Sequence, residues 1–488
     1  MSIEKLSQKS KVALPLFTLI YLVIVCGGIY LFFKYWGYDD PFITFRYARN
    51  IASNTGFVYN PGERVLSTTT PLYALILTGA AVSGLKLPSA ANFLSGLFIA
   101  LGGVALWDLG RSWNSFGVRL TGLFLYPTFP LILSTISSET PIYLAFILGA
   151  FAFYARGRYN LTGLAAALAT LLRPDGILVA GVLGAHFLVS RRQKIPWSAL
   201  SLFVVATSAW VIFAWLYFGS PLPITLAAKQ LQNSLEVSQD FAHGFIRVIT
   251  WYSSNWHYLI EATLALLGLV WGLLKNRLWL LLFGWTALYF LAYSILGVSS
   301  YFWYYAPLVP GFVAAIGLGV DGTIQIGTKF LGGSNNNRSK ILTVALTTIV
   351  CIIGIQQLVT LAEISKNIDP RMKIYRAVGE WLNNNTAPDA TIGTLEVGII
   401  GFFAEREMID FAGLIQPDIA AQLRNAENYE SAAFWAVTHY QPDYLVLQDQ
   451  IFPHLEEDYI PKYCEPMMTF QKEQYGYSND LVVYRCNG

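Results

Sequence analysis

The chain has 488 residues, of which 55% are hydrophobic and 13% charged, and its formal net charge is +2. Soluble domains carry about 25% charged residues, so the composition excludes an ordinary water-soluble enzyme and describes a polytopic membrane protein. No basic stretch is dense or long enough to grip a nucleic-acid backbone, which removes nucleic acid as a partner.

In chain order, Lys5, Lys9 and Lys11 precede an apolar run from Val12 to Phe33 that has no small-residue cleavage site. At about 20 residues it reads as a retained signal anchor. Further basic marks stand at Arg111/Arg119, Arg156/Arg158, Arg191/Arg192/Lys194, Lys275/Arg277 and Lys329/Arg338/Lys340. If all of these face the cytoplasm, an even number of crossings separates Lys11 from Arg111. Three apolar stretches lie between them, at 12–33, 71–85 and 90–110. The shortest, 71–85, opens on Pro71 and is expected to lie in the interface or re-enter. About eleven transmembrane helices then alternate: 12–33, 90–110, 119–137, 140–155, 160–172, 176–190, 197–218, 257–274, 278–297, 302–320 and 341–362. The expected fold is mainly α, with a membrane domain over 1–362, a first outer loop over 34–89, a cytoplasmic N-terminus and a plasma-membrane location.

Beyond 362 the composition changes. Short apolar runs (TIGTLEVGIIGFF, DYLVLQD, DLVVYRC) and an amphipathic stretch near 370–384 predict a soluble, extracytoplasmic α/β domain over 363–488. It contains Cys464 and Cys486, a candidate disulfide pair, whereas Cys26 and Cys351 sit in apolar spans. GGSNNNRSK at 332–340 reads as a flexible loop.

The residues with chemical character fall on one side of this scheme. In YDDPFITFRYAR, 38–49, Asp40 and Pro41 open a short helix, Asp40 suiting an N-cap. A second carboxylate, Asp39, beside it at the bilayer interface suits a general base or a divalent cation such as Mg²⁺. Arg46 and Arg49 lie three apart on that helix, and Asn60-Pro61-Gly62 is a turn presenting Glu63 and Arg64. Ser67 to Thr70 offer four hydroxyls, for a sugar or for capping the next helix. Arg173 interrupts an apolar stretch, where an ionisable group is a functional candidate, or forms an ion pair with Asp175 or Glu139. Lys229 lies on an outer segment with no adjacent acid. The five histidines lack ligand spacing, and no phosphate-binding glycine loop is present, which argues against a nucleotide cofactor.

YDDPFITFRYARNIASNTGFVYNPGERV at 38–65, with SSETPIYLAF at 137–146, LLRPDGIL at 171–178 and FGSPLPITLAAK at 218–229, resembles the superfamily C (GT-C) polyprenyl-phosphate-sugar-dependent membrane glycosyltransferases. The resemblance is closest to the bacterial branch that includes mycobacterial terminal arabinofuranosyltransferases. Lipid A aminoarabinose transferases and protein O-mannosyltransferases are more distant. It implies transfer of a sugar from a polyprenyl phosphate to an acceptor hydroxyl of a cell-envelope glycan, lipid or protein, on the extracytoplasmic face, with inversion. It also implies Asp39 as general base with Asp40 orienting it or binding a cation. Arg173 and Lys229 become donor-phosphate ligands; beside them, Arg46 is a further donor-phosphate candidate, and Glu139, Tyr47, Glu63 and Arg64 are candidate acceptor or sugar contacts. The chain departs from the family at Thr68-Thr69-Thr70 and at the aromatic run Tyr301 to Tyr305. The rival readings are a transporter or flippase of a lipid-linked sugar, which predicts internal repeats and midplane polar residues, and a non-catalytic scaffold.

Overall fold

Long apolar segments have one stable state in hydrocarbon, the helix, because every backbone N–H and C=O must find its partner within the segment. A computed structural model describes the chain except at residues 1–2, 191–193, 234, 236–238, 331–335, 425, 427 and 487–488, and except for the side chains of 3–14, 336 and 338. The basic marks at Arg191 and Arg192, the side chains of Lys5, Lys9, Lys11 and Arg338, and most of the 332–340 loop therefore lie outside the described residues.

Among the described residues, seven helical stretches are long and apolar enough to cross a membrane: 15–33, 87–112, 197–218, 256–275, 277–296, 302–330 and 339–385. Four shorter apolar helices accompany them, at 71–82, 140–155, 159–172 and 174–190. The path alternates between two ends. At one end Asn92 donates to the carbonyls of Phe33 and Trp36, Tyr73 to that of Ser137, and Arg173 reaches Glu139. At the other, Arg156 pairs with Asp108, Asn276 donates to the Trp113 carbonyl, and Asp321 accepts from Ser115 and the Gly117 N–H.

Local chemistry explains two departures from a simple bundle. The helix Pro71–Val82 has 12 residues, about 18 Å of rise, too short for a core of about 30 Å. The stretch 119–137, expected as one helix, is broken. A helix over Phe116–Phe124 gives way to a 3₁₀ turn at Tyr126–Thr128 and a single turn at Pro130–Leu133. Pro127 and Pro130 each remove a backbone donor, and Phe129, preceding Pro130, is extended (φ −69°, ψ 120°) as a residue before proline prefers.

The C-terminal sheet has the order β2-β1-β3-β5-β4, with β1 Thr391–Thr394, β2 Glu407–Asp410, β3 Tyr444–Gln448, β4 Cys464–Phe470 and β5 Leu481–Cys486. β1 runs parallel to β2 and β3, while β5 is antiparallel to β3 and β4. Its two faces bury different partners. Ile392, Val446 and Val483 pack with the helix Arg371–Asn385 into a core continuous with that of the membrane helices. Leu445 and Leu447 face a separate cluster with the helix Glu430–Tyr440. A sheet covered on both sides reads as continuous apolar runs, as YLVLQ does. Cys464 and Cys486 are directly opposite in the β4–β5 ladder and form a disulfide.

Candidate functional site

The motif at 38–49 forms helix α1, Asp39–Ala52. Neither carboxylate caps its own helix, since the N-cap is Tyr38 and makes no side-chain capping bond. Asp39 instead accepts from the backbone N–H groups of Gly398 (3.0 Å) and Ile399 (2.7 Å), at the start of a short helix, α2, Ile399–Ala404, in the C-terminal domain. Arg46 donates to the carbonyls of Gly401 (3.0 Å), Arg406 and Tyr59, and Arg49 reaches the Phe402 carbonyl (2.8 Å) and Glu405 (2.7 Å). The two helices lie parallel, with a carboxylate at the positive end of α2 and two guanidinium groups at its negative end. A side chain at Gly398 would collide with the Asp39 carboxylate, so the contact requires glycine there. Burial pushes Asp39 up to about 6, against the pull of its two N–H donors.

This geometry places two of the predicted site residues in the contact between the domains rather than at the cavity. Each Asp39 oxygen accepts one backbone N–H of the C-terminal domain, and the residue is absent from the lining of the cavity described below. Arg46 is 2% exposed, and its donors are committed to Tyr59, Asn60, Gly401 and Arg406, which leaves none for a phosphate. Three further residues stand away from the cavity. Tyr47 donates to the Val65 carbonyl (2.6 Å) and accepts from Ser67 N–H, Glu63 accepts from Asn60, and Arg64 lies over the Tyr217 ring. Nor does the acidic pair converge on a cation, because Asp39 faces Gly398 and Asp40 faces Lys229. Among the described residues no group of three His, Cys, Asp or Glu is placed to hold a metal.

What the structure does bring together is a cavity of about 380 Å³ at the same end of the bundle, lined by Asp40, Glu139, Arg173, Asp175 and Lys229. The five positions come from four separated segments, Arg173 and Asp175 sharing one. Asp40 stands in the first turn of α1, Glu139 heads the helix Thr140–Ala155, Arg173 follows the helix Tyr159–Leu172, and Lys229 lies on the helix Ile224–Gln232. Lys229 pairs with Asp40 (2.9 Å) beneath the rings of Tyr301, Trp303 and Tyr304, at 4.8, 5.3 and 5.5 Å. Burial alone would favour a neutral amine there, but Asp40 and the tyrosine oxygens more than offset it, and its pKa is raised. Arg173, 5% exposed, spans Asp175 (3.0 Å) and Glu139 (3.3 Å) and donates to the hydroxyl of Tyr293, which donates in turn to Asp175 (2.6 Å).

The remaining wall is polar on one side. Thr44, Thr68 and Thr70 hydroxyls form a triangle with edges of 3.0 to 3.3 Å. Thr70 precedes the helix Pro71–Val82 without capping it through its side chain. Ser67 Oγ and Thr225 Oγ1 line the same cavity, buried and without a hydrogen-bond partner among the described residues. Buried polar atoms are normally satisfied, so these two are available to a ligand. Part of the lining is apolar and exposed: Ile177, Leu222 and Leu296 are 54%, 67% and 41% exposed.

Sequence reasoning missed Tyr293, Thr225 and the stacking of Tyr38 on Trp303 (5.1 Å). Thr225 lay inside the FGSPLPITLAAK motif, and Tyr293 was one aromatic among many in an apolar helix. The aromatic run 301–305, noted as a departure, proves to be the roof over Lys229.

Solved structures share this architecture. ArnT from Cupriavidus metallidurans, in a crystal structure bound to undecaprenyl phosphate, superposes over 96% of this chain and 97% of its own, with a TM-score of 0.63 and 14% identity. Its apo structure matches over 97% and 98%, with a TM-score of 0.63 and 13% identity. The chain shares the fold of ArnT. Residues 363–484 also match a family model described as a domain of unknown function (DUF8728). No curated protein sequence matches the chain.

Proposed function

We propose that the chain is a membrane glycosyltransferase that moves a sugar from a polyprenyl phosphate to an acceptor hydroxyl on the extracytoplasmic face, with inversion. The observation that carries this reading is the pair of buried cations, Arg173 and Lys229, in a cavity whose lining is partly apolar and exposed. A lipid-linked phosphate has those two properties, an anionic head and a hydrocarbon tail. The ArnT structure, which shares the fold, holds undecaprenyl phosphate. A cavity of about 380 Å³ falls within the ~300–1,000 Å³ of small-molecule sites.

In this reading the lipid enters past Ile177, Leu222 and Leu296, and its phosphate engages Lys229 and Arg173. Charge developing on the departing phosphate is held by groups already oriented, so little reorganisation is required. Drawing Lys229 toward the phosphate releases Asp40, whose side chain is 35% exposed and is the accessible carboxylate beside the cavity. Asp40 takes the proton of the acceptor hydroxyl as its oxygen bonds to the anomeric carbon and the bond from that carbon to the phosphate oxygen breaks. A single displacement inverts the anomeric centre. Ser67, Thr225 and the threonine triangle supply hydrogen bonds to sugar hydroxyls. No step is routed through a metal, because the acidic pair does not fit one.

The acceptor is a cell-envelope glycan, lipid or protein, and the branch that includes mycobacterial terminal arabinofuranosyltransferases makes a pentose the first sugar to test. The disulfide in the C-terminal domain supports an oxidising, extracytoplasmic setting for this end of the molecule. The deciding experiment uses the purified protein in nanodiscs with undecaprenyl-phosphate pentoses and hexoses and an envelope extract. Transfer by the wild type, lost in Asp40→Asn, is the expected result. A folded wild type that binds no undecaprenyl phosphate and transfers nothing would overturn the reading and favour a transporter.

A further inference from the structure

One wall of the cavity does not belong to the membrane helices. Leu414, from the loop after β2, lines it, and among the described residues every other lining position lies at or before 304. The loop 411–416 is held from both directions. From beneath, the buried Asp410 carboxylate accepts from the N–H groups of Ala412 (2.8 Å), Leu414 (2.5 Å) and Ile415 (3.2 Å). The Gln416 side chain closes the turn by accepting from Asp410 N–H (2.9 Å) and donating to the Met408 carbonyl (2.8 Å). Gly413 takes a positive φ of 69° against Ala420, a conformation that favours glycine. From the membrane side, Gln232 donates to the Ala412 carbonyl and accepts from the Tyr301 hydroxyl, both at 3.2 Å. Tyr301 is part of the roof over Lys229. The loop thus joins the sheet to the same aromatic cover that surrounds the cation.

We propose that this loop of the C-terminal domain determines which sugar the membrane site accepts, with Leu414 as the specificity-determining side chain. The proposal rests on the glycosyltransferase reading and gives the domain of unknown function a role within the site. The argument is one of shape and polarity. The hydroxyls of Ser67, Thr225 and the threonine triangle serve a polar edge of a sugar, while Leu414 offers no hydrogen bond and a fixed volume. A pyranose bearing an exocyclic hydroxymethyl group and a pentose without it differ in the bulk such a wall admits. A single missing or added carbon group in a shaped pocket discriminates by about 10- to 200-fold. Because five hydrogen bonds clamp the turn around Asp410 and Gln416, the wall cannot yield cheaply to a larger ligand.

The test uses the full-length protein in nanodiscs and three probes: undecaprenyl phosphate, an undecaprenyl-phosphate pentose and an undecaprenyl-phosphate hexose. Dissociation constants are measured for the wild type, Leu414→Ala and Leu414→Phe. The expected result is that Leu414→Ala shifts the hexose-to-pentose preference toward the larger sugar by about tenfold, Leu414→Phe shifts it the opposite way, and bare undecaprenyl phosphate changes less than about twofold in both. A preference unchanged in both variants overturns the proposal while the glycosyltransferase reading stands. So does an equal change for all three probes, which makes the loop a structural cover only. A wild type that binds none of the probes defeats the glycosyltransferase reading, and this proposal with it.

Discussion

Adjacent carboxylates at 39 and 40 have opposite fates. Asp39 is 8% exposed and ties two backbone N–H groups of the C-terminal domain, whereas Asp40 faces Lys229 at the cavity. Asp40→Asn is therefore expected to lower transfer by about 10² to 10⁴ in protein that is still folded and inserted. Asp39→Asn is expected to lower the melting temperature and to keep transfer within about tenfold in the folded fraction. The reverse pattern, transfer lost at position 39 and kept at position 40 in equally stable proteins, would return the base to Asp39. Arg173 is the second residue to test. Truncation to alanine leaves Asp175 and Glu139 facing each other without a cation, a change that costs roughly 3–5 kcal/mol in buried pairs. Lysine keeps the charge but loses the fork that reaches Glu139, Asp175 and Tyr293 together. Arg173→Lys is expected to fold and to bind undecaprenyl phosphate about tenfold more weakly; unchanged affinity in a titration removes Arg173 from the phosphate site.

At the scale of elements, the contact between α1 and α2 joins the two parts of the molecule. Arg46→Ala leaves the carbonyls of Gly401, Arg406 and Tyr59 without their buried donor, and a buried acceptor left unsatisfied costs about 1–3 kcal/mol. Hydrogen exchange is expected to rise across residues 395–406 and to stay unchanged in the membrane helices; uniform protection would remove Arg46 from the docking contact. The same region contains two buried acids, Asp39 and Asp410, and a half-buried one, Glu396. Asp39 is pushed up to about 6, Asp410 to about 7 and Glu396 to about 8, in each case first by burial. An exposed carboxyl titrates near 4, so the folded state keeps protons that the unfolded chain has released. This contribution is complete below about pH 4 and is lost as pH rises through about 6 to 8. The C-terminal domain is therefore expected to resist urea better at pH 5.5 than at pH 8.5, followed by tryptophan fluorescence; greater resistance at the higher pH contradicts the burial of these groups.

For the whole molecule, the two ends of the bundle carry different chemistry. Asp108, Arg111, Arg156 and Arg158 gather at one end, and the cavity with the C-terminal domain occupies the other. In a background free of Cys26 and Cys351, a cysteine at Glu457 is expected to react with an impermeant maleimide in intact cells, and one at Asn114 only after permeabilisation. Labelling of both positions from outside would break the alternation of spans.

Composition and lysine and arginine placement were enough to show a multi-span helical bundle with a distinct C-terminal α/β part, because hydrocarbon admits few structures and charge marks the span ends. The alternation led to the expectation that 71–85 lies in the interface or re-enters, and the structure forms a helix of 12 residues there; the prolines at 127 and 130 were visible but their breaking of the span was not foreseen. Four motifs held the GT-C resemblance, Arg173 stood out as a cation interrupting an apolar stretch, and Lys229 was marked only by its place in the FGSPLPITLAAK motif. Tertiary structure decided which neighbour of an acidic pair faces the cavity, because one residue along a helix turns a side chain by about 100°. It also decided that Arg46 is a docking residue, since two of its partners, Gly401 and Arg406, lie more than 350 positions away in sequence. The placement of Leu414 in a membrane cavity was likewise illegible, because a loop leucine carries no pattern of its own until the sheet and Gln232 hold it there.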